Sequence, residues 1–126
     1  MNFPENIKYT KDHEWIRIDG NVGTVGITDH AQGELGDVVF VELPAKGRKL
    51  KQGETFGTIE AVKAVSDLYA PVSGEVLDLN AELEKNSEIV NKEPYDGGWM
   101  IKLKLSDLNE VKQLLDAKQY RELIGK

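Results

Sequence analysis

Two interleaved antiparallel β-sheets, with one short internal helix and helices toward the C-terminal end, are the fold that this sequence predicts. Three observations carry it. Strand-forming runs meet at short turn signals, as with Tyr9 to Ile18 and Val22 to Ile27 on either side of Asp19-Gly20-Asn21, residue types that tolerate positive backbone angles. The chain also repeats itself: Gly36-Asp37-Val38-Val39-Phe40-Val41 resembles Gly74-Glu75-Val76-Leu77-Asp78-Leu79, and Leu50-x-x-Gly53-x-x-Phe56 resembles Leu83-x-x-Asn86-x-x-Ile89. Finally, Trp99 to Leu105 alternates as a half-buried strand should, with Lys102 and Lys104 facing out.

After the first hairpin, Thr28 can cap a helix of two turns through Leu35, its hydroxyl accepting an orphan backbone N–H, and Gly36 can end it in the left-handed conformation. The repeat offsets are 38 residues from Gly36 to Gly74 and 33 from Leu50 to Leu83, which puts extra residues of the first copy in the loop around Leu43 to Gly47. Two copies of a strand, loop and strand unit suggest sheets related by an approximate twofold, each covering the other's apolar face. Between the copies, the strand-forming runs Thr55 to Ile59 and Val65 to Tyr69 bracket a tight reversal. Ser106 or Asp107 can cap a following helix with Leu108, Val111, Leu114 and Leu115 on one face. Tyr120, Leu123 and Ile124 mark a last helical segment, and both helices are expected to pack on the sandwich as an outer layer.

The length of 126 residues suits one domain, expected to span residues 1–126 with a β core over about 22–105 and a helical segment over about 107–125. Hydrophobic content of 40% and charged content of 30% fit a soluble protein, and no apolar run approaches the roughly 20 residues of a membrane span. The start, Met1 to Asn6, has the pattern of neither a secretory signal nor a transit peptide, so a cytoplasmic location is expected, or the mitochondrial matrix for a processed eukaryotic form. A net charge of -6 disfavours nucleic acid, because the four cations Lys46, Arg48, Lys49 and Lys51 have no interleaved aromatics. The absence of cysteine excludes disulfides, thiolate metal sites and a cysteine nucleophile; any sulfur chemistry must arrive on a cofactor.

Few kinds of catalytic site remain. His13 and His30 are the only histidines, too few for a zinc or iron site, so no metal is expected. Gly23-x-x-Gly26 alone is not a phosphate loop, and Ser73-Gly74 is not a nucleophile elbow. What the chain does offer is Lys63, within Glu60-Ala61-Val62-Lys63-Ala64-Val65-Ser66-Asp67, on the reversal between two strands. A tight turn holds that amine out in solvent, within reach of a modifying enzyme, and makes it the candidate for covalent modification.

Five ordered blocks give the chain a family resemblance. They are His13-Glu14-Trp15; Gly26-Ile27-Thr28-Asp29-His30-Ala31-Gln32; Leu35 through Pro44; Val62-Lys63-Ala64 with Ser66-Asp67; and Asn91-Lys92-Glu93-Pro94-Tyr95-Asp96-Gly97-Gly98-Trp99. Over nearly its whole length the chain resembles the H proteins of the glycine cleavage system, which carry lipoate. That resemblance implies a mainly β, flattened barrel-sandwich hybrid of the lipoyl-domain type, with Lys63 amide-linked to lipoate. It implies three enzyme partners, a pyridoxal-phosphate glycine decarboxylase, a folate-dependent aminomethyltransferase and a flavin-containing dihydrolipoyl dehydrogenase that uses NAD, together with a lipoate-attaching enzyme. The carrier itself would catalyse none of the steps. In similar proteins the loaded arm folds into a surface cleft, and the resemblance assigns Glu14 and Asp67, helped by His13, to receive its ammonium group.

The sequence departs from the family pattern at Ala61, commonly serine, at Asn86, commonly proline, and at Glu34, a histidine in some members. Loss of a hydroxyl at Ala61 is expected to leave attachment intact, while Glu34 would add negative potential for the aminomethyl cation. A biotin carrier is the nearest different function, but biotinyl turns usually flank the lysine with methionine, where this chain has Val62 and Ala64. A lipoate-relay or regulatory H-like protein would need the same exposed lysine and is a further alternative.

Overall fold

The computed structural model describes residues 1–126, folded as two antiparallel sheets with short helices at their margins. The larger sheet has six strands in the order β1-β2-β3-β9-β8-β5, and the smaller has three in the order β4-β6-β7. The strands are β1 (Lys8–Tyr9), β2 (Glu14–Asp19), β3 (Val22–Ile27), β4 (Val38–Glu42), β5 (Lys49–Leu50), β6 (Thr55–Ala61), β7 (Val65–Tyr69), β8 (Gly74–Leu79) and β9 (Ile101–Leu105). Both sheets stay open, so the sandwich predominates over the barrel. No helix is long and apolar enough to cross a membrane.

The repeat is visible in the strand pairing. β4 pairs with β6 and β6 with β7, as β8 pairs with β9 and β9 with β3. The register slips between Val38 and Phe40 in β4 and again between Val76 and Asp78 in β8, positions related by the 38-residue offset. The second matched pattern fails. Leu50 and Phe56 lie on strands, whereas Leu83 and Ile89 lie on α2 (Glu82–Lys85) and α3 (Ile89–Lys92). Gly53 turns the first copy at φ 85°, a value open to glycine, and the helix formers Glu82, Leu83, Glu84 and Lys85 drive the second copy elsewhere.

Other boundaries move for local reasons. The expected strand Tyr9 to Ile18 is broken by a turn, because Thr10 N–H donates to Glu14 O at 2.9 Å and His13 N–H to Thr10 O at 3.1 Å. The strand expected from Trp99 begins at Ile101; Lys104 faces out, but Lys102 is half-buried with its ammonium 5.0 Å from the Trp99 ring centre. Thr28 does cap α1 (Asp29–Leu35), its Oγ1 accepting from Ala31 N at 3.1 Å. Gly36 ends that helix at φ 79°, ψ -161°, an extended mirror-image conformation rather than the left-handed helical one. The helix expected after Asp107 is a 3-10 segment, Leu108–Gln113, with Leu108 exposed. The final helix, α4 (Ala117–Ile124), starts at a capping box made by Asp116 and Gln119.

Two apolar clusters hold the elements together. Between the sheets lie Ile16, Val25, Phe56, Ile59, Leu68, Val76 and Leu103 with their neighbours. The second, on the far side of β2, packs Ile7, Tyr9, Trp15, Tyr95, Ala117 and Tyr120. Tyr9 stacks on Tyr120 with centroids 4.7 Å apart and planes 7° apart, which ties α4 to β1. β2 is therefore covered on both faces: Ile16 points to the main core and Trp15 to the aromatic cluster.

Candidate functional site

The β6–β7 hairpin turns through Val62 and Lys63, closed by Ala61 N–H donating to Ala64 O at 2.9 Å. Both turn residues are exposed. The loop is also pinned from below, because Val62 N–H donates to Asp37 O at 2.9 Å and Lys63 N–H to Leu35 O at 3.2 Å. Those acceptors belong to the segment leaving α1, and Asn91 on α3 locks that segment in place. Asn91 Nδ2 donates to Gly36 O at 2.9 Å and to Gln32 Oε1 at 3.0 Å, while its Oδ1 accepts from Val38 N at 2.9 Å. The Lys63 stem then lies over Gly36, where an added Cβ would come within 3.3 Å of its Cγ and Cδ.

Beside this hairpin runs a groove of about 170 Å³, and it gathers all three residues expected at the cleft: His13, Glu14 and Asp67. Ile27, Leu35 and Ile59 give it an apolar floor, and Glu34 and Asp12 add two carboxylates. Asp67 stands on β7, four residues after Lys63 on the turn. A larger concavity of about 420 Å³ lies on the other flank of the Thr10–Asp12 turn and shares Asp12 and Glu14 with the groove. It holds neither Asp67 nor His13, so the smaller groove next to the lysine is the candidate site.

Glu14 differs most from expectation. The resemblance casts it as a receiver of an ammonium group at a surface cleft, yet only 2% of it is exposed. The reason is alternation: Glu14 shares its face of β2 with Ile16 and Ile18, and β1 covers the strand's edge. Thr10 Oγ1 donates to its Oε1 at 3.1 Å and Tyr69 N–H reaches its Oε2 at 3.4 Å. Burial outweighs these bonds and pushes the carboxyl up to about 8, so the protonated form is favoured at neutral pH. Asp67, in contrast, is exposed on the groove's outer wall.

His13 forms the opposite rim. Its ring is half-buried, with its centre 5.0 Å from that of His30 on α1, and burial together with that neighbour lowers its pKa below the usual histidine value. His30 Nε2 is in turn 3.7 Å from Glu34 Oε1 one helical turn on. Sequence reasoning missed three supporting residues: Asn91, Asp12 and Tyr120, whose hydroxyl meets both His13 and Thr28. Asn91 and Thr28 stood inside the matched blocks, but nothing in the sequence pairs Tyr120 with His13 across 107 residues.

An open two-sheet sandwich that holds out a single lysine on a two-residue turn, next to a small groove, is the frame that a swinging-arm carrier requires. Its relatives agree. Residues 7–126 match the family model described as glycine cleavage H-protein. The chain is 55% identical to a glycine cleavage system H protein of Bacteroides thetaiotaomicron and 54% identical to one of Staphylococcus saprophyticus, each over 99% of both chains. A crystal structure of a glycine cleavage system H protein from Mycobacterium marinum superposes with a TM-score of 0.91 at 37% identity, covering 98% of this chain and 100% of the other. The chain belongs to the glycine cleavage H-protein family, the lipoyl carriers of the glycine cleavage system.

Proposed function

We propose that Lys63 is the residue that becomes amide-linked to lipoate, and that the groove of His13, Glu14 and Asp67 shelters the loaded arm. The observation that carries the proposal is the fit at Gly36: the bare Cα leaves room for the Lys63 stem, while two backbone bonds fix the turn against the segment leaving α1. When bound through Lys63, the dithiolane would supply a reducible S–S bond that opens as the pyridoxal-phosphate decarboxylase transfers an aminomethyl group to one sulfur with loss of CO2, gives up the one-carbon unit to folate on the aminomethyltransferase with release of ammonia, and closes again at dihydrolipoyl dehydrogenase with NAD as oxidant. The chain's own part is to present, shelter and be recognised, and we infer that it catalyses none of those steps. Tethering to Lys63 raises the arm's effective concentration at each docked enzyme. In the groove, an incoming ammonium would meet Glu14 in a poorly solvated setting, where attraction is strong, and favour the carboxylate, whose proton would leave to solvent. Asp67 and Glu34 bring further negative charge to the groove wall. With relatives in bacteria, the cytoplasm is the location we infer.

Intact mass of the protein from lipoate-replete cells tests the attachment. A lipoyl increment is expected, and it should vanish in Lys63→Ala; a biotinyl increment, or none, would overturn the assignment. Glycine–bicarbonate exchange with the decarboxylase, supported by the lipoylated protein, separates a glycine-cleavage carrier from a lipoate relay, for which no exchange is expected.

A further inference from the structure

The two walls of the groove meet at one phenol. Tyr120 on α4 is fully buried, and its hydroxyl oxygen lies 2.8 Å from His13 Nδ1 and 2.8 Å from Thr28 Oγ1. Thr28 is the N-cap of α1, the helix that brings Ala31, Glu34 and Leu35 to the groove. His13 brings the facing rim, and it is the one non-glycine residue with positive φ, at 73°. Histidine in that region is held there by its surroundings: His13 N–H is bonded to Thr10 O, Thr28 N–H to His13 O at 3.0 Å, and the ring to Tyr120.

Proton accounting gives this chain a direction. Thr28 Oγ1 already accepts the Ala31 N–H, and Thr28 is fully buried, so its hydroxyl proton has Tyr120 as its partner. The phenol, having accepted, donates its own proton to His13 Nδ1. That bond occupies the Nδ1 lone pair and leaves the imidazole proton on Nε2. An imidazolium would have to reverse the whole chain and strand the buried Thr28 proton. The other groups facing the ring are His30 and Glu34 on α1, Asp12 and Glu14 on the adjoining turn and strand, and Asp67 across the groove.

Resting on the carrier reading above, we propose that Tyr120 is a positioning residue of the arm groove: its hydroxyl, supplied with a hydrogen bond by Thr28, holds His13 uncharged, in one tautomer and at a fixed angle beside the cationic cargo. The C-terminal helix thereby sets the shape and charge of a groove that it does not line. An imidazolium at that rim would repel the ammonium, and a loose ring would admit water to the carbon between nitrogen and sulfur.

Imidazole nitrogen shifts of the unmodified, isotope-labelled protein give a first test. In the parent, His13 should be the Nε2–H tautomer; in Tyr120→Phe, which keeps the ring stacked on Tyr9, mixed tautomers and a higher titration midpoint are expected. Unchanged shifts and midpoint would overturn the proposal. Decay of the aminomethylated, lipoylated full chain gives the second. Tyr120→Phe should shorten its lifetime roughly fivefold, the scale of one lost hydrogen bond, and combining it with His13→Ala should add nothing to His13→Ala alone. Parent-like decay, or effects that multiply, would show that Tyr120 does not act through His13. A parent chain that never takes up lipoate strikes the carrier reading instead, and the nitrogen shifts still decide the role of Tyr120.

Discussion

Glu14 shows how one buried carboxyl can set a pH response. Its folded pKa of about 8 lies above the ordinary 4.5, so the folded state binds the proton more tightly than the unfolded chain. The stability this contributes is fully present below about pH 4.5 and is lost as pH rises through 8, at a slope on the order of 1 kcal/mol per pH unit. His13 works in the opposite sense: its lowered pKa costs stability as pH falls below the ordinary 6.5, which offsets part of the Glu14 term on the acid side. The net decline should therefore be clearest between about pH 6.5 and 8. Glu14→Gln, which keeps the shape and cannot ionise, should remove it, and thermal unfolding at pH 6.5, 7 and 8 would measure the difference. Parallel curves for parent and variant would mean that the carboxyl is solvated after all. Alternation along Glu14-Trp15-Ile16-Arg17-Ile18 held the clue, since it puts Glu14 on the isoleucine face. What the pattern lacked was β1, two residues long, which turns an apparent edge into an interior strand.

At the scale of elements, the hairpin that bears Lys63 depends on the exit of α1. Gly36 has a φ and ψ that an L-residue strongly resists, and it faces the lysine stem with no Cβ. Gly36→Ala should cost about 1–3 kcal/mol in denaturant unfolding and slow acylation of Lys63 by a lipoate-attaching enzyme. Asn91→Ala would leave the Val38 N–H and the Gly36 carbonyl short of partners; a loss of about 1–3 kcal/mol is expected, with faster hydrogen exchange at Val62 and Lys63. Acylation at the parent rate in both variants would detach the hairpin from its support. The hairpin itself was legible, because strand formers on both sides of Val62-Lys63 leave the chain nothing but a tight reversal. Its support was not, since Asn91 reaches Gly36 across 55 residues.

For the whole molecule, charge is the accessible variable. The formal net charge is -6, and amidation of one lysine makes it -7, so isoelectric focusing should resolve the modified form on the acidic side and find no such pair in Lys63→Ala. The three charge pairs, Lys46–Asp78, Arg48–Glu54 and His30–Glu34, each include an exposed partner at 3.3–3.7 Å. Such pairs contribute little, about 0–1 kcal/mol each. Fold stability rests instead on the two apolar clusters, one between the sheets and one made largely of aromatic rings outside them.

By itself the sequence determined most of the strands along the chain, the repeat that places β4 and β8 in matching roles, and the lysine on its turn. These are local properties: side-chain periodicity, turn chemistry and a short reversal are written within a few residues of one another. Only the tertiary structure decided that Glu14 is buried, that Asn91 ties down the exit of α1 beneath the Lys63 turn, and that Tyr120 joins His13 to Thr28. Each of those depends on a desolvated contact between distant segments, and burial, which sets the strength of every charge and hydrogen bond in the groove, exists only once those segments have packed.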